Sequence, residues 1–365
     1  MYDKNTNETH VPKRFNEKEE DIMSEVKKAV EKKSDYTEIK EAFSKFIKAW
    51  ETNNVDGMDD VVAVDTYANF SMFGESCSRD LLKNNLKVRT RKTTYSRFLI
   101  NNYVCLIEGN RAQQSAGMAA LMSDSSGAQY AHYCFNGFFA NSWIKTEKGW
   151  QMQSIRFDLL TDDANILTRD ESGSFITVKG TGDLSFVENW APIIDKNGFY
   201  FGTRLNAICA EYDAPWNVIR NRDNVGTDEE QIEELFFKYC FAIDTDSFGF
   251  FQDVWTDDVV AYLPPLGIHD KRGITNVLKI NKSGSRRCLH MGRVKSIDVH
   301  GDTADIVMYH MDNTMINPPY TISKETEKLD IVGSRWRIQA RRENGAWRFN
   351  KFFYEYGPFI EGEFK

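Results

Sequence analysis

Two carboxylates and two histidines in the second half of the chain, Asp244, Asp312, His290 and His310, are residue types that move protons. An imidazole has an unperturbed pKa of about 6.5, so it accepts and returns a proton at neutral pH. One carboxylate can hold the imidazole in a single tautomer. Another can protonate a leaving hydroxyl, provided that burial raises its pKa. These residues indicate acid–base chemistry.

Other chemistries have less support in the sequence. Asp244, Asp312, His290 and His310 could form a metal site in principle, but their spacing is not specific for one. Neither GxGxxG nor GxxxxGK is present, so no phosphate-binding loop is predicted. We therefore expect neither a metal nor a cofactor. The cysteines form no CxxC pair, which favours reduced thiols in a cytoplasmic protein; they are Cys77, Cys105, Cys134, Cys209, Cys240 and Cys288.

The composition is that of a globular protein with several domains. The chain has 365 residues, of which 41% are hydrophobic and 27% charged. With 46 Lys and Arg against 54 Asp and Glu, the net charge is -8, which argues against nucleic acid as a partner. The polar N-terminus predicts no secretory signal, and no run of apolar residues is long enough to predict a membrane span.

The sequence predicts the same order of elements, helices followed by strands, twice along the chain. An apolar face at helical spacing runs from Ile39 to Trp50, and strand-like segments follow it up to Leu160. The second series begins with a capping box at Thr227 and Glu230. It ends in four strand candidates between Cys288 and Tyr356.

Corresponding residues of the two series are separated by a nearly constant number of positions, which indicates an internal duplication. Ala49 corresponds to Ala242 and Trp150 to Trp347. We predict a polar tail or solvated helix at 1–35, a degenerate copy at 36–160, an ordered connector at 161–226 and a catalytic copy at 227–365. Helices followed by a meander predict an α+β fold with two cone-shaped barrels, each a curved antiparallel sheet around three helices.

Four motifs resemble the SnoaL-like branch of the nuclear-transport-factor-2-like superfamily. They are Phe237–Asp244, Thr256–Asp258, Cys288–Arg293 and Asn344–Phe349. Within that branch the sequence is most similar to bile-acid dehydratases, and scytalone dehydratase is more distant. The resemblance implies a cone-shaped barrel with a pocket and, in many members, an acid–base reaction on a steroid or polyketide-like compound.

The resemblance also implies site residues. The dehydratases present a Tyr followed five residues later by an Asp, as Tyr239 and Asp244 are here, then a His matched by His290 and an acid matched by Asp312. Tyr239 would donate to the carbonyl oxygen and His290 would carry the proton. An Arg used by the dehydratases beyond the last strand is replaced here by Tyr356 or its neighbours. The predicted substrate-binding residues are His310, Trp255, Tyr262, Trp336 and Tyr356.

Simpler interpretations of these residues remain open. Tyr239 can be a core residue, Asp244 can cap the next helix, and His290 or His310 can be a structural histidine. The first copy is an internal control, because its equivalents of Tyr239, Asp244, His290 and Asp312 are Phe46, Glu51, Phe98 and Ala120. A phenylalanine cannot donate a proton, so this copy should be catalytically empty.

The predicted function is a cofactor-free dehydratase acting on a small hydrophobic hydroxy-ketone. One alternative is a double-bond isomerase, which needs the same base but no acid for a leaving hydroxyl. The other is a non-catalytic ligand-binding or assembly module. The expected partners are a small hydrophobic substrate, neither nucleic acid nor membrane, and an intramolecular pseudo-dimer of the two domains, with a homo-oligomer as a further possibility.

Overall fold

A computed structural model describes most of the chain between the N-terminal tail and the last nine residues. The described residues are 34–87, 89–127, 130–169, 171–172, 175–187, 190, 207–284, 289–312 and 333–356. Residues 1–33 of the tail predicted at 1–35 lie outside them. Among the described residues, no helix combines the length and the apolarity needed to cross a lipid bilayer.

The first domain consists of two helices and a six-stranded sheet. Its elements are α1 (Asp35–Glu51), β1 (Val62–Phe70), β2 (Gly74–Ser76), α2 (Arg79–Lys87), β3 (Tyr95–Glu108), β4 (Arg111–Asp124), β5 (Ala131–Thr146) and β6 (Gly149–Asp162), with a short 3-10 helix at Val55–Met58. The strand order is β2-β1-β6-β5-β4-β3. Ser34 caps α1 by accepting the backbone N–H of Thr37 at 3.2 Å.

The connector contains a two-stranded sheet and short helices. Its elements are β7 (Asn165–Arg169), β8 (Phe175–Lys179), α3 (Ala210–Asp213) and α4 (Pro215–Val218), with a 3-10 helix at Leu184–Phe186. Trp190 and Ile208 are buried.

The second domain repeats the first. Its elements are α5 (Asp228–Asp244), α6 (Phe251–Val254), β9 (Trp255–Leu263), β10 (Gly267–His269), α7 (Lys271–Gly284), β11 (His290–His300), β12 (Thr303–Asp312), β13 (Gly333–Glu343) and β14 (Ala346–Tyr356), with a 3-10 helix at Phe248–Phe250. The strand order β10-β9-β14-β13-β12-β11 matches that of the first sheet. The capping box at Thr227 and Glu230 is present, as predicted.

The predicted α+β fold is confirmed, with one correction to the sheets. Each sheet is mixed, because β1 runs parallel to β6 and β9 runs parallel to β14. The strand after the first helix crosses the domain and lies beside the last strand of the meander in the same direction.

The duplication extends to individual side-chain contacts. In each domain an Asp in the first turn of the first helix binds the indole N–H of a Trp on the last strand and a basic residue on the strand before it. The indole bonds are Trp150 to Asp35 (3.1 Å) and Trp347 to Asp228 (3.2 Å); the basic residues are Lys145 and Arg342. These bonds fix the helix against the sheet at the same place in both domains.

The interior of the first cone is filled by aromatic rings that pack against one another. Trp50 is at the centre, with centroid distances of 5.2 Å to Phe98 and 5.8 Å to Phe157. The fully or almost fully buried rings around it are Phe46, Phe70, Phe135 and Phe139. Three of the four side chains predicted to do acid–base chemistry in the second domain are thus replaced by hydrocarbon here, and only the acid at Glu51 remains.

The two domains share a buried core. Phe138, on the outer face of the first sheet, packs edge-to-face on Phe241 of α5 at 5.6 Å. Ala140 and Leu160 of the first sheet belong to the same buried cluster as Phe236 and Phe241. The outer face of the first sheet therefore covers the helix that carries Tyr239 and Asp244.

Candidate active site

Asp244 and His290 form a hydrogen-bonded pair inside the second domain. Asp244 is the last residue of α5 and has no exposed surface, while His290 begins β11 with its side chain 14% exposed. One carboxylate oxygen accepts the backbone N–H of His290 at 2.8 Å, and the other is hydrogen-bonded to Nδ1 of the same residue. The acid therefore fixes both the strand and the ring.

Asp312 lies directly across the ladder from His290. The antiparallel register pairs His290 with Asp312 and Gly292 with His310. Ser334 is paired with His310 on one side and with Tyr356 on the other. Directly opposed positions lie on one face of a sheet. The backbone positions of Asp312, His310 and Tyr356 are thus on the face of His290; their side chains lie outside the described part.

Tyr239, Trp255 and Trp336 come together in the aromatic interior of the same domain. The Tyr239 ring is 2% exposed, and its centroid is 5.6 Å from that of Trp255 and 5.9 Å from that of Trp336. The indole N–H groups of both tryptophans are buried and bind no acceptor among the described residues. Donors of this kind are available to an oxygen of a bound molecule.

Tyr262 is not brought to this site. It is 44% exposed, whereas its neighbours Ala261 and Leu263 are buried, so it lies on the outer face of β9. Its assignment to the substrate-binding residues is therefore corrected.

Neither arginine of β13 supplies the Arg that the dehydratases use. Arg335 and Arg337 donate to Glu355 at 2.6 Å and 3.0 Å, while Trp336 between them is buried. Burial tends to raise the pKa of Glu355, but hydrogen bonds from the two guanidinium groups lower it. Both arginines thus belong to an ion-pair network on the other face of the sheet from Trp336.

The first domain repeats the acid-to-strand bond without the imidazole. Glu51, at the end of α1, is 5% exposed and accepts the backbone N–H of Phe98 at 3.1 Å. Phe98 is paired with Ala120, as His290 is paired with Asp312. These three positions of the first copy therefore occupy places equivalent to those of the second, and only the second copy has the imidazole and the second acid there.

One residue that contacts the site was missed by the sequence analysis. The side chain of Asn102, on β3 of the first domain, donates to the backbone carbonyl of His290 and accepts the N–H of Gly292 at 3.0 Å. The only sequence signal is the Asn101-Asn102 pair, which interrupts an otherwise apolar strand.

A cavity of about 560 Å³ lies between the domains. Its walls include Tyr36, Lys40, Phe43, Tyr103, Phe237 and Tyr309. The Lys40 ammonium is 6.0 Å and 5.7 Å from the ring centroids of Tyr36 and Tyr103. Burial raises the pKa of Glu233, which faces the same cavity. The cavity combines aromatic walls with a few charged groups, as small-molecule sites do.

Within the described ranges, no group of three or more His, Cys, Asp and Glu side chains is arranged to hold a metal ion. The five described cysteines form no disulfide with one another: Cys77, Cys105, Cys134, Cys209 and Cys240. Burial raises the pKa of Cys105 to about 12, which disfavours its reactive thiolate form.

Comparisons with known proteins identify one family and several similar folds. Residues 31–156 and 226–352 match the family model described as the SnoaL-like domain. No curated protein matches the chain. A nuclear transport factor 2-like superfamily protein from Salmonella enterica has 12% identity and a TM-score of 0.30, covering 34% of this chain and 92% of its own.

Two further solved structures carry dehydratase descriptions. A proposed scytalone dehydratase from Novosphingobium aromaticivorans has 9% identity and a TM-score of 0.32, covering 41% of this chain and 92% of its own. A proposed dehydratase of the NTF2-like family from Streptomyces avermitilis has 13% identity and a TM-score of 0.31, covering 34% of this chain and 95% of its own.

Proposed function

Since the chain belongs to the SnoaL-like domain family in both of its halves, we propose that the second domain is a dehydratase that needs no cofactor. Its substrate is a small hydrophobic hydroxy-ketone of steroid-like or polyketide-like character. The observation that carries the proposal is the buried Asp244–His290 pair, with the position of Asp312 directly opposite on the next strand.

The pair prepares His290 to act as a general base. The carboxylate of Asp244 favours a proton on Nδ1, so Nε2 is the basic nitrogen of the ring. Nε2 takes the proton from the carbon next to the substrate carbonyl. The resulting imidazolium is stabilised by the negative charge of Asp244, so no solvent has to reorganise around it.

The remaining groups would complete an elimination. As the C–H bond breaks, its electrons form an enolate, whose oxygen accepts a hydrogen bond from the Tyr239 hydroxyl. The enolate collapses to a carbon–carbon double bond and expels the hydroxyl at the neighbouring carbon. Asp312 protonates that hydroxyl, so water leaves, and the proton held by His290 returns the acid to its starting form through solvent. The product is a conjugated enone.

The proposal is tested on a panel of ring-containing β-hydroxy-ketones. Turnover gives an enone absorbance and a mass lower by one water. We expect His290→Gln to lower kcat by about 10²–10⁴-fold, the usual contribution of one acid–base group. His300→Gln is the matched control, because His300 is exposed at the other end of the same strand. Equal turnover by the two variants would refute a catalytic His290.

Asp312→Asn separates dehydration from double-bond isomerisation. A dehydratase should suffer severely, because the hydroxyl then leaves without a proton donor, and an isomerase should suffer less. Asp305→Asn is the control on the same strand, since Asp305 is exposed and its carboxylate accepts a hydrogen bond from Gln339 at 2.8 Å.

A non-catalytic ligand-binding module is the second candidate, and the cavity between the domains favours it. Under this interpretation a bound compound would be released unchanged, and His290→Gln would leave its affinity unaltered.

We also propose that the enzyme acts in the cytoplasm, in line with the described cysteines, which form no disulfide with one another.

A further inference from the structure

The strand that carries His290 lies at the end of its sheet. β11 is the last strand in the order of the second sheet, with β12 on one side and no strand on the other among those described. Backbone groups on such an edge need partners from elsewhere, because a buried unpaired N–H or C=O is costly. The backbone N–H of His290 is bound by Asp244. The backbone carbonyl of His290 and the N–H of Gly292 then still need hydrogen-bond partners.

Asn102 of the first domain binds both of these groups with one side chain. Its amide nitrogen donates to the His290 carbonyl, and its amide oxygen accepts the Gly292 N–H at 3.0 Å. A single amide thus supplies one donor and one acceptor, as a neighbouring strand would. Asn102 is 3% exposed, so these bonds are shielded from water.

A bulge in β3 directs Asn102 toward the second domain. The register of β3 with β4 shifts between Asn101 and Val104, and Asn102 has a φ of 47°. Asparagine tolerates this left-handed conformation better than most residues do. The register of β11 also shifts, between Val294 and Ser296, so both copies interrupt the corresponding strand in a similar place.

We propose that Asn102 is a positioning residue for His290, so that the first domain, which has Phe98 in place of this imidazole, contributes to the proton-transfer site of the second. The backbone of His290 is held from two directions, by Asp244 within its own domain and by Asn102 from the other. The direction of the ring depends on this backbone. The inference rests on the proposed function only for the role of the imidazole as a base.

Asn102→Gly is the sharpest test, because glycine adopts positive φ without strain and removes only the amide. Asn53→Gly is the matched control: Asn53 also has a positive φ (57°), but it is exposed at the end of α1. Asn102→Asp is the second variant. It keeps an acceptor for the Gly292 N–H and loses the donor for the His290 carbonyl.

The readouts are backbone amide hydrogen exchange and the imidazole NMR resonances of protein labelled with ¹⁵N-histidine, assigned with His290→Gln. In Asn102→Gly we expect the Gly292 amide to exchange about tenfold faster, the size expected for one lost hydrogen bond, and the His290 ring to show a second population. In Asn102→Asp the Gly292 amide should stay protected while the second ring population persists. Asn53→Gly should match the wild type.

Unchanged ring resonances of His290 in Asn102→Gly would overturn the proposal, even with faster exchange at Gly292, because the bonds would then be structural only. A turnover assay adds an independent readout, in which a positioning role lowers kcat and leaves KM nearly unchanged. Since the NMR measurement needs no substrate, a positive result there together with no dehydration of any compound would refute the proposed function alone.

Discussion

Asp244 has two separate tasks, which the first domain allows to be distinguished. Glu51 accepts the strand N–H of Phe98 just as Asp244 accepts that of His290, although the residue at this position of the first domain has no imidazole to orient. The acid-to-strand bond is therefore part of the architecture of both domains. The contact with Nδ1 is the additional feature of the second domain.

Asp244→Asn and Asp244→Ala should separate the two tasks. Asparagine still accepts the His290 N–H, but its NH₂ group favours the wrong tautomer, so kcat should fall by about 10³–10⁴-fold with a small change in stability. Alanine also leaves a buried N–H unpaired and should lower the free energy of unfolding by about 1–3 kcal/mol. Enone formation and denaturant unfolding measure the two effects.

Glu51→Gln is the control for this pair. It makes the same chemical change at the equivalent position, where no imidazole is present, and should leave kcat unaltered. A comparable loss of kcat in Glu51→Gln and Asp244→Asn would show that the acid acts only through the fold.

His132 gives the stability of the first domain a predictable dependence on pH. Its Nε2 is 3.1 Å from the carboxylate of Asp163, whose hydrogen bond raises the pKa of His132 despite partial burial. A raised pKa means that the folded state binds the proton more tightly. The stabilisation is therefore complete below about pH 6.5, the unfolded value, and is lost as the pH rises through the folded pKa.

The comparison of wild type with His132→Asn checks this sign. The difference in the free energy of unfolding should be larger at pH 5.5 than at pH 8.5, both chosen to bracket the ordinary histidine pKa of about 6.5. A difference that grows with pH would contradict the assignment.

At the scale of elements, the close approach of α5 to β11 depends on Gly292. A methyl group at this position would come within 2.5 Å of the Phe236 ring on α5. Gly292→Ala should therefore push strand and helix apart and cost about 1–3 kcal/mol through overpacking. It should also lower kcat, because the same displacement moves His290 relative to Asp244.

A suppressor tests this explanation. Phe236→Leu removes the part of the ring that would collide, so the double variant should be more stable than the sum of the two single changes predicts. Ser296→Ala on the same strand serves as the control for a simple change of residue. Strict additivity of Gly292→Ala and Phe236→Leu would show that the two positions do not interact as described.

At the scale of the whole molecule, much of the architecture could be predicted from periodicity and repetition. The helical face ending at Trp50, the capping box at Thr227 and the repeat offset all correspond to observed elements. The resemblance to SnoaL-like proteins is confirmed by the family match in both halves. Repetition is informative because each copy must bury the same faces, so equivalent positions keep equivalent contacts.

The remaining features depend on contacts that no local pattern encodes. Asn102 and His290 are 188 positions apart, and their bond exists only because one domain lies against the other. The parallel pairing of β9 with β14 likewise requires the whole meander to be in place. Tyr262 is different, since it stands between the apolar residues Ala261 and Leu263, and alternation over these three positions would have placed it on the outer face.

The shared core predicts that the two domains unfold together. Phe138 is 1% exposed and packs on Phe241 across the domain boundary. Phe138→Ala should cost about 3–5 kcal/mol, because it leaves a cavity there. The wild type should show one calorimetric transition. The variant should show two, because the contact between the domains is weakened while the core within each domain is unchanged. Val64→Ala, at a position with 66% exposure, should keep one transition near the wild-type temperature. A single transition in Phe138→Ala, merely shifted to lower temperature, would mean that other contacts couple the domains.

Weaker docking should also loosen the bond from Asn102 to His290, so the variant should lose protection of the Gly292 amide while the Asp35–Trp150 bond inside the first domain persists.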